Sequence, residues 1–145
     1  MARPKAWLAT EGAALVEFVL VLPLLLGLAF GVWEFGRLFV AQMIATTAAR
    51  EGASYAARQL TSDPAQVAAY VAEILATGYG PRLGRDLEVQ TTTISVVFLD
   101  DRGQPAPRPV AGGQVQVTVP VRARPLTPLL SSPLILTGQV SQRLP

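Results

Sequence analysis

The 145-residue chain contains no cysteine and no histidine. Without cysteine it can form no disulfide, thiolate metal site or lipoprotein anchor. Without histidine it lacks the commonest general base and the commonest metal ligand. Charged residues make up only 15% of the chain, against about 25% in a typical soluble domain. These shortages argue against an enzyme and favour a structural protein associated with a membrane.

The chain has no strong excess of either charge, since 12 basic and 10 acidic residues leave a net charge of +2. A nucleic-acid-binding surface needs a clear basic excess. The arginines of the C-terminal half are interleaved with prolines rather than with aromatic residues, which also disfavours nucleic-acid binding. The sequence has no glycine-rich phosphate loop after a strand, so we expect no nucleic-acid partner, small-molecule substrate or cofactor.

What the chain does have is one long apolar segment, AALVEFVLVLPLLLGLAFGVW, at residues 13–33. As a helix it would be about 30 Å long, which matches the hydrocarbon core of a bilayer. Arg3 and Lys5 precede it, and basic residues on a short N-terminal tail favour keeping that tail in the cytoplasm. We therefore expect a single transmembrane helix at 13–33, with the C-terminal domain on the far side of the membrane.

A cleaved secretory signal peptide is the alternative interpretation of this segment, with Ala29-Phe30-Gly31 as a small-x-small cleavage site. The apolar regions of signal peptides run for about 7–15 residues. The segment here is longer and contains Glu17. These two features favour an anchor that is retained.

The helical pattern continues through residues 38–60, which contain no proline and are rich in alanine. Alanines recur at every fourth position, so they share one face of a helix. Small residues at this spacing let another helix approach closely, although alanine is also simply the best helix former. A continuous helix over residues 13–60 would be about 72 Å long, so its second half must leave the bilayer and pack on something. The predicted helix-packing face consists of Gly27, Gly31, Ala41, Ala45, Ala49, Ala53 and Ala57.

Glu17 stands out because a carboxylate deep in an apolar run is costly in lipid unless it is paired. A purely structural role is the alternative, since a glutamate in the first turn of a helix is stabilised by the helix dipole. Gly12 lies five residues before Glu17, at the edge of the apolar run. The two residues therefore have to be interpreted together.

The segment Gly12-Ala13-Ala14-Leu15-Val16-Glu17-Phe18 resembles the processing site of type IV pilin-like proteins. In those proteins a membrane prepilin peptidase cuts after the glycine, and the glutamate becomes the fifth residue of the mature chain. The resemblance implies that Gly12 and Ala13 form the cleavage junction. It also implies that Glu17 is an assembly charge, which neutralises the new α-amino group of a neighbouring subunit. Ala13 departs from the pattern, since typical type IV pilins carry phenylalanine or methionine there.

Two blocks, EGAALVEFVLVLPLLLGLAFGVWEFGR at 11–37 and AAREGASYAAR at 48–58, are similar to the conserved region of the TadE-like family. Residues 115–144 resemble the C-terminal strands of that family. These proteins are minor pseudopilins of the tight-adherence (Tad/Flp) pilus system in the bacterial cytoplasmic membrane. The resemblance implies assembly partners rather than substrates: the prepilin peptidase, other pseudopilins, the Flp-type pilin and the Tad inner-membrane platform. An unprocessed single-pass adaptor or regulatory protein of a cell-envelope complex remains the alternative.

Residues 61–145 predict a small extracytoplasmic domain. Asp63 is expected to cap a helix over 64–77, with Pro64 at its first position and Gln66 completing a capping box. Apolar residues at helical spacing form one stripe on this helix. The stripe consists of Val67, Tyr70, Val71, Ile74 and Leu75.

Three strand patterns follow, at residues 87–99, 114–121 and 134–144, each with alternating apolar positions. Pro120 indicates an edge strand or a strand end. The predicted fold is α+β and pilin-like, with a long N-terminal helix followed by one short helix and a roughly three-stranded antiparallel sheet. We expect residues 1–12 to be a cytoplasmic leader, 13–60 the long helix and 61–145 the outer domain.

A few acidic residues are the remaining candidates for chemistry. Asp100 and Asp101, together with Asp86 and Glu88, could form a carboxylate dyad or a calcium site. Asp-Asp-Arg-Gly at residues 100–103 is more typical of a solvated turn at a strand end. We therefore expect no catalytic residue and no metal site, and a membrane-tethered hydrolase or metal enzyme is the least favoured class.

Overall fold

The computed structural model describes residues 6–59, 63–79, 87–89, 93–124 and 133–145, without side chains at 6–11 and 87–89. The chain divides into two compact units, Met1–Gly36 and Arg37–Pro145. One α-helix, α1 (Ala6–Gln59, 54 residues), runs through the end of the first unit into the second. The first five residues of the predicted leader and most of the proline-leucine turn before residue 134 lie outside the described residues.

The first unit contains the apolar part of α1. Described residues of this helix include a membrane-length window with a mean hydropathy of 2.5, and none of that window is buried. Large apolar side chains such as Leu20 and Leu24 are 74% and 70% exposed. Because apolar area in water costs about 25 cal/mol per Å², hydrocarbon is the solvent that suits this surface. Within the described ranges, α1 is the one helix long and apolar enough to cross a membrane.

In the second unit, α2 (Pro64–Ile74) ends in a single π-helical turn, Leu75–Tyr79. The predicted cap is confirmed, because a carboxylate oxygen of Asp63 accepts a hydrogen bond from the N–H of Ala65 at 2.9 Å. The apolar stripe is confirmed as well, with Val67, Val71 and Leu75 buried and Tyr70 and Ile74 half-buried. The α-helix itself stops three residues before the predicted end, and the π turn carries the spiral past Gly78.

In the described ranges the sheet has five strands, all paired in antiparallel fashion. They are β1 (Leu87–Val89), β2 (Ser95–Leu99), β3 (Pro105–Ala106), β4 (Gln114–Ala123) and β5 (Leu134–Arg143). β4 is central, with β5 along one side and β2 and β1 in turn along the other, while β3 pairs with β2. The α+β class is therefore confirmed. The single strand predicted over 87–99 is two strands, and β3 adds a short pairing inside the proline-rich loop.

Pro120 lies inside the central strand, so its predicted place at an edge or strand end is wrong. The N–H of Leu144 donates to the C=O of Gly113 at 2.8 Å, and hydrogen-bonded pairs alternate along an antiparallel ladder. Odd-numbered residues of β4 therefore bond to β5, and the nitrogen of Pro120 faces the other side. Among the described residues on that side, the last pair with β2 is at Thr118 and the first pair with β1 is at Val121. Because proline has no N–H, Pro120 donates no ladder bond there.

The hydrophobic core of the second unit lies between the inner face of the sheet, α2 and residues 37–59 of α1. Alternation along β4 is confirmed, since its four valines are fully buried, with 0% exposure. Phe98 of β2 is 2% exposed, and Leu134, Leu136 and Val140 of β5 are half-buried against the same core. The layer formed by β5 is thus less completely covered than the layer formed by β4.

Candidate assembly site

The predicted processing junction lies in the helical part of the first unit. Gly12 and Ala13 are both exposed positions of α1. A Cβ built on Gly12 would meet nothing within 4 Å. The peptide bond between them is therefore helical, and both residues are exposed in the part of the chain that the structure describes.

Glu17 lies one helical turn beyond Ala13 on the same face of α1. Its side chain is exposed, and the described residues offer its carboxylate no hydrogen-bond or ion-pair partner. Neighbours along the helix are apolar and exposed, including Val16 and Phe18 at 61% and 55%. A carboxylate in such surroundings is costly in lipid, and a positive group from another molecule would lower that cost.

The two glycines of the predicted packing face lie further along the first unit. Gly27 is exposed and Gly31 is half-buried. A Cβ built on either glycine would meet nothing within 4 Å. This part of the face is open to a neighbouring helix.

The alanines of the predicted packing face have a different environment in the second unit. Their exposed fractions are 0% for Ala41, Ala45, Ala49 and Ala53, and 8% for Ala57. They belong to the same core cluster as the valines of β4. The alanine face packs on the sheet of its own chain and is not available to a second helix.

Two glycines that sequence reasoning did not single out make this packing close. Gly138 of β5 lies so near α1 that a Cβ there would overlap the backbone of Ala45 and Thr46. A Cβ on Gly52 of α1 would overlap a methyl group of Val71 in α2. A signal was present for Gly138, which interrupts the apolar alternation of β5, because a glycine inside a strand often marks close backbone approach.

Side-chain hydrogen bonds fix the second half of α1 to the sheet. Arg37 donates from Nη2 to the C=O of Arg124 at 2.9 Å. Gln42 donates from Nε2 to the C=O of Thr137 at 3.0 Å. Further along, the Ser54 hydroxyl donates to Oε1 of Gln142 at 3.0 Å. Since residue numbers rise together on both elements, β5 runs along α1 in the same direction.

The acidic candidates for chemistry form a local turn. Oδ1 of Asp100 accepts hydrogen bonds from the N–H groups of Arg102 at 2.9 Å and Gln104 at 2.7 Å. Gly103 has a φ of 78° in this turn, a value that favours glycine. Asp86 lies outside the described residues, as does the side chain of Glu88. In the described part of the chain no three acidic side chains come together as a metal-binding group.

An exposed apolar helix that carries Glu17 and continues into a small α+β domain is the architecture expected of a pilin-like chain, and the helix is a candidate membrane span. Residues 12–54 match the family model of TadE-like protein. This match agrees with the predicted resemblance to the TadE-like family over residues 12–54. The matched segment includes Gly12, Glu17, both helix glycines and all but the last of the packing-face alanines. A search of curated proteins and a search of solved structures each found no match.

Proposed function

We propose that this protein is a membrane-anchored minor pseudopilin that contributes to the assembly of a Tad/Flp-type pilus. It acts through helix and domain contacts rather than by catalysis. The observation that carries the proposal is Glu17, an exposed carboxylate on an apolar helix, placed five residues after Gly12 within the TadE-like segment. The apolar part of α1 anchors the chain, with the N-terminus in the cytoplasm and the α+β domain outside.

Processing by a prepilin peptidase would cut between Gly12 and Ala13 and leave a new α-amino group at the start of the anchor. An isolated ammonium and an isolated carboxylate are both costly in lipid. Pairing the α-amino group of one subunit with Glu17 of its neighbour offsets part of both costs. This pairing would favour contact with other pseudopilins and the Flp-type pilin, at the Tad inner-membrane platform.

In this proposal the first unit makes the helix contacts between subunits. Gly27 and Gly31 leave an open surface there, and small residues allow close helix approach in lipid. The alanines from Ala41 to Ala57 serve a different purpose, because the sheet of the same chain covers them. Thus the membrane part of α1 makes the contacts between subunits, and the second half of α1 supports the outer domain.

An unprocessed single-pass adaptor or regulatory protein of a cell-envelope complex is the second candidate. In this candidate the helix Ala6–Gln59 keeps its first residues and serves as a plain anchor. The two candidates differ in whether the bond between Gly12 and Ala13 is cut. They also differ in whether Glu17 has a role in assembly.

Replacing Glu17 tests the proposed role in assembly. In the native host we expect Glu17→Ala to insert into the membrane normally, because the substitution makes the apolar segment more apolar. Pilus formation and co-purification with companion pseudopilins should be lost. Glu51→Ala is the matched control, since it removes an exposed carboxylate from the same helix in the second unit, and it should assemble normally. Normal pili and normal co-purification with Glu17→Ala would contradict the proposal.

A further inference from the structure

An exposed apolar turn lies at the start of the second unit. It consists of Phe39, Val40 and Met43 of α1, whose side chains are 67%, 48% and 57% exposed, and we call it the apolar turn. In the described part of this unit, the other large apolar side chains that are exposed are Val110 and Ile135. Three of the five thus lie within residues 39–43. A cluster of this kind marks a surface that contacts a partner or a membrane.

Over these residues α1 is apolar on both of its faces. Leu38, Ala41 and Ala45 belong to the core between the helix and the sheet. The apolar turn lies on the other face, away from that core. A helix that is apolar all round is typically covered on every side, by a protein interior or by lipid. Within the described residues the second unit covers one side only, so the other side needs a different apolar surrounding.

The exposed surface of α1 stays free of charge as far as the apolar turn and one turn beyond it. After Glu17, the first exposed charged residue of the helix is Arg50. The two charged residues between them, Glu34 and Arg37, are buried and half-buried. The hydroxyl of Thr47, which is exposed, donates to a carbonyl of the preceding helical turn at 2.9 Å. A polar group that is bonded within its own helix does not need water.

A second element brings another exposed apolar residue to the same end of the unit. Gln42 of α1 donates to the C=O of Thr137 in β5, so the start of β5 lies beside the apolar turn. Ile135, two residues before Thr137, is 64% exposed. Of the exposed large apolar side chains described in this unit, all except Val110 are therefore at this end.

The chain itself keeps this end of the second unit beside the first unit. Phe39 follows Gly36, the last residue of the first unit, by three positions. Three residues span at most about 11 Å, so the two residues are close in every arrangement of the two units. The exposed apolar surface of the first unit continues to Phe35, which is 71% exposed. If that unit lies in a bilayer, lipid is within reach of the apolar turn.

The length of α1 agrees with lipid contact at the apolar turn. α1 is a single helix, Ala6–Gln59, and its residues 13–43 measure about 46 Å along the helix. A bilayer with both of its headgroup layers is about 40–45 Å thick, and membrane helices tilt by about 20° on average. Residues 13–43 therefore fit a whole bilayer, with Ala13 at one headgroup layer and the apolar turn at the other.

We propose that the apolar turn lies in the lipid of the membrane that α1 enters, at the headgroup layer on the far side. Phe39 and Met43 contact phospholipid acyl chains near their headgroups, and the lipid boundary lies between Met43 and Arg50. The second unit is then partly embedded in the membrane rather than held clear of it. This inference rests on the anchoring of α1, which both candidate functions share, and not on processing or pilus assembly.

Fluorescence quenching of the full-length protein in a bilayer tests the proposal. The chain has no cysteine, so Met43→Cys carries a single fluorophore in the apolar turn. Arg50→Cys is the matched control, because Arg50 is exposed and lies on the same helix face about 10 Å further along. Each variant is placed in phosphatidylcholine discs that hold one protein copy. Quenching is measured with a lipid that carries a nitroxide near its headgroup, and with iodide in the buffer.

We expect position 43 to lose most of its fluorescence to the nitroxide lipid and little to iodide, and position 50 to show the reverse. Strong iodide quenching at position 43 would place the apolar turn in water and overturn the inference. Protection of position 43 from both quenchers would show that protein covers it, which would also overturn the inference.

Phe39→Asp in the Met43→Cys protein tests whether lipid contact depends on the apolar side chains. A carboxylate is costly in lipid, so lipid quenching at position 43 should fall to the value at position 50. Unchanged lipid quenching would contradict the proposal. Phe39 is exposed, so the fold should tolerate the change. If this variant does not fold, the comparison of positions 43 and 50 still decides.

Leu24→Cys separates failure of this inference from failure of the anchor. Leu24 lies within the predicted span and is 70% exposed. A nitroxide deep in the acyl chain should quench a fluorophore at this position. Quenching at position 24 without lipid quenching at position 43 would remove this inference alone. Absence of quenching at position 24 would remove both this inference and the proposed function, since the anchor itself would be wrong.

Discussion

Two glycines, Gly138 and Gly52, determine how closely the helices and the sheet of the second unit approach one another. At Gly138 the obstacle to a Cβ is the backbone of α1, which cannot move without shifting the whole helix. At Gly52 the obstacle is a methyl group of Val71, which a small adjustment can displace. A Cβ on Gly78 would meet nothing within 4 Å. Replacing glycine with alanine should therefore lower the free energy of unfolding most at Gly138, less at Gly52 and least at Gly78.

Gly138→Ala is the sharpest test of this packing. We expect it to lower the free energy of unfolding by about 1–3 kcal/mol, the usual cost of overpacking a core. Chemical denaturation of the full-length protein in detergent would measure the change, with Gly78→Ala as the control that leaves stability nearly unaffected. Equal stability of the two variants would show that β5 does not lie against Ala45 as described.

At the scale of elements, local patterns predict what a helix or strand is, but not what covers it. The alanines that recur along α1 are buried in the core of their own chain, and the predicted contact with another helix stays a prediction. The sequence could not show that β5 covers this face, because Gln142 lies 88 residues beyond its partner Ser54. A face of small residues allows a sheet to pack closely against it as readily as another helix, so the spacing of the alanines does not distinguish the two.

The strands show the same limit. Alternation predicts β4 and β5, because a half-buried strand repeats every two residues. The place of Pro120 could not be predicted, since it depends on where β1 and β2 stop pairing with β4. The division of residues 87–99 into two strands could not be predicted either, because β1 and β2 pair with different parts of β4. The π turn at Leu75–Tyr79 has no local signal that we can identify.

Filling the alanine face tests its role as the contact between helix and sheet. Ala49 is fully buried, with 0% exposure, so Ala49→Leu must push the sheet away from α1. We expect a loss of about 1–3 kcal/mol in the free energy of unfolding. Thr47→Leu, on the exposed face of the same helix, should change stability by no more than about 0.5 kcal/mol. Similar values for the two variants in denaturation experiments would contradict the assignment of the buried face.

At the scale of the whole molecule, the chain consists of one unit with an exposed apolar helix and a second unit with an α+β fold. Composition and the single apolar run predict this division, because an exposed surface such as that of residues 12–36 suits lipid. Gly12 and Glu17 are predicted from their spacing, their apolar context and the family resemblance together, and the matched TadE-like segment contains both. Their roles in processing and assembly stay predictions. The apolar turn could not be found in the same way, since its exposure follows from which face of α1 the sheet covers.

The central claim is that this anchor is processed as a pilin. Intact mass and N-terminal sequencing of the protein extracted from membranes of its native host test that claim most directly. The account predicts a chain that begins at Ala13, with the apolar segment and Glu17 retained. A chain beginning at Met1 or Ala2 would contradict pilin-type processing and favour the plain adaptor, and one beginning near Val32 would show that the apolar segment is a cleaved signal peptide.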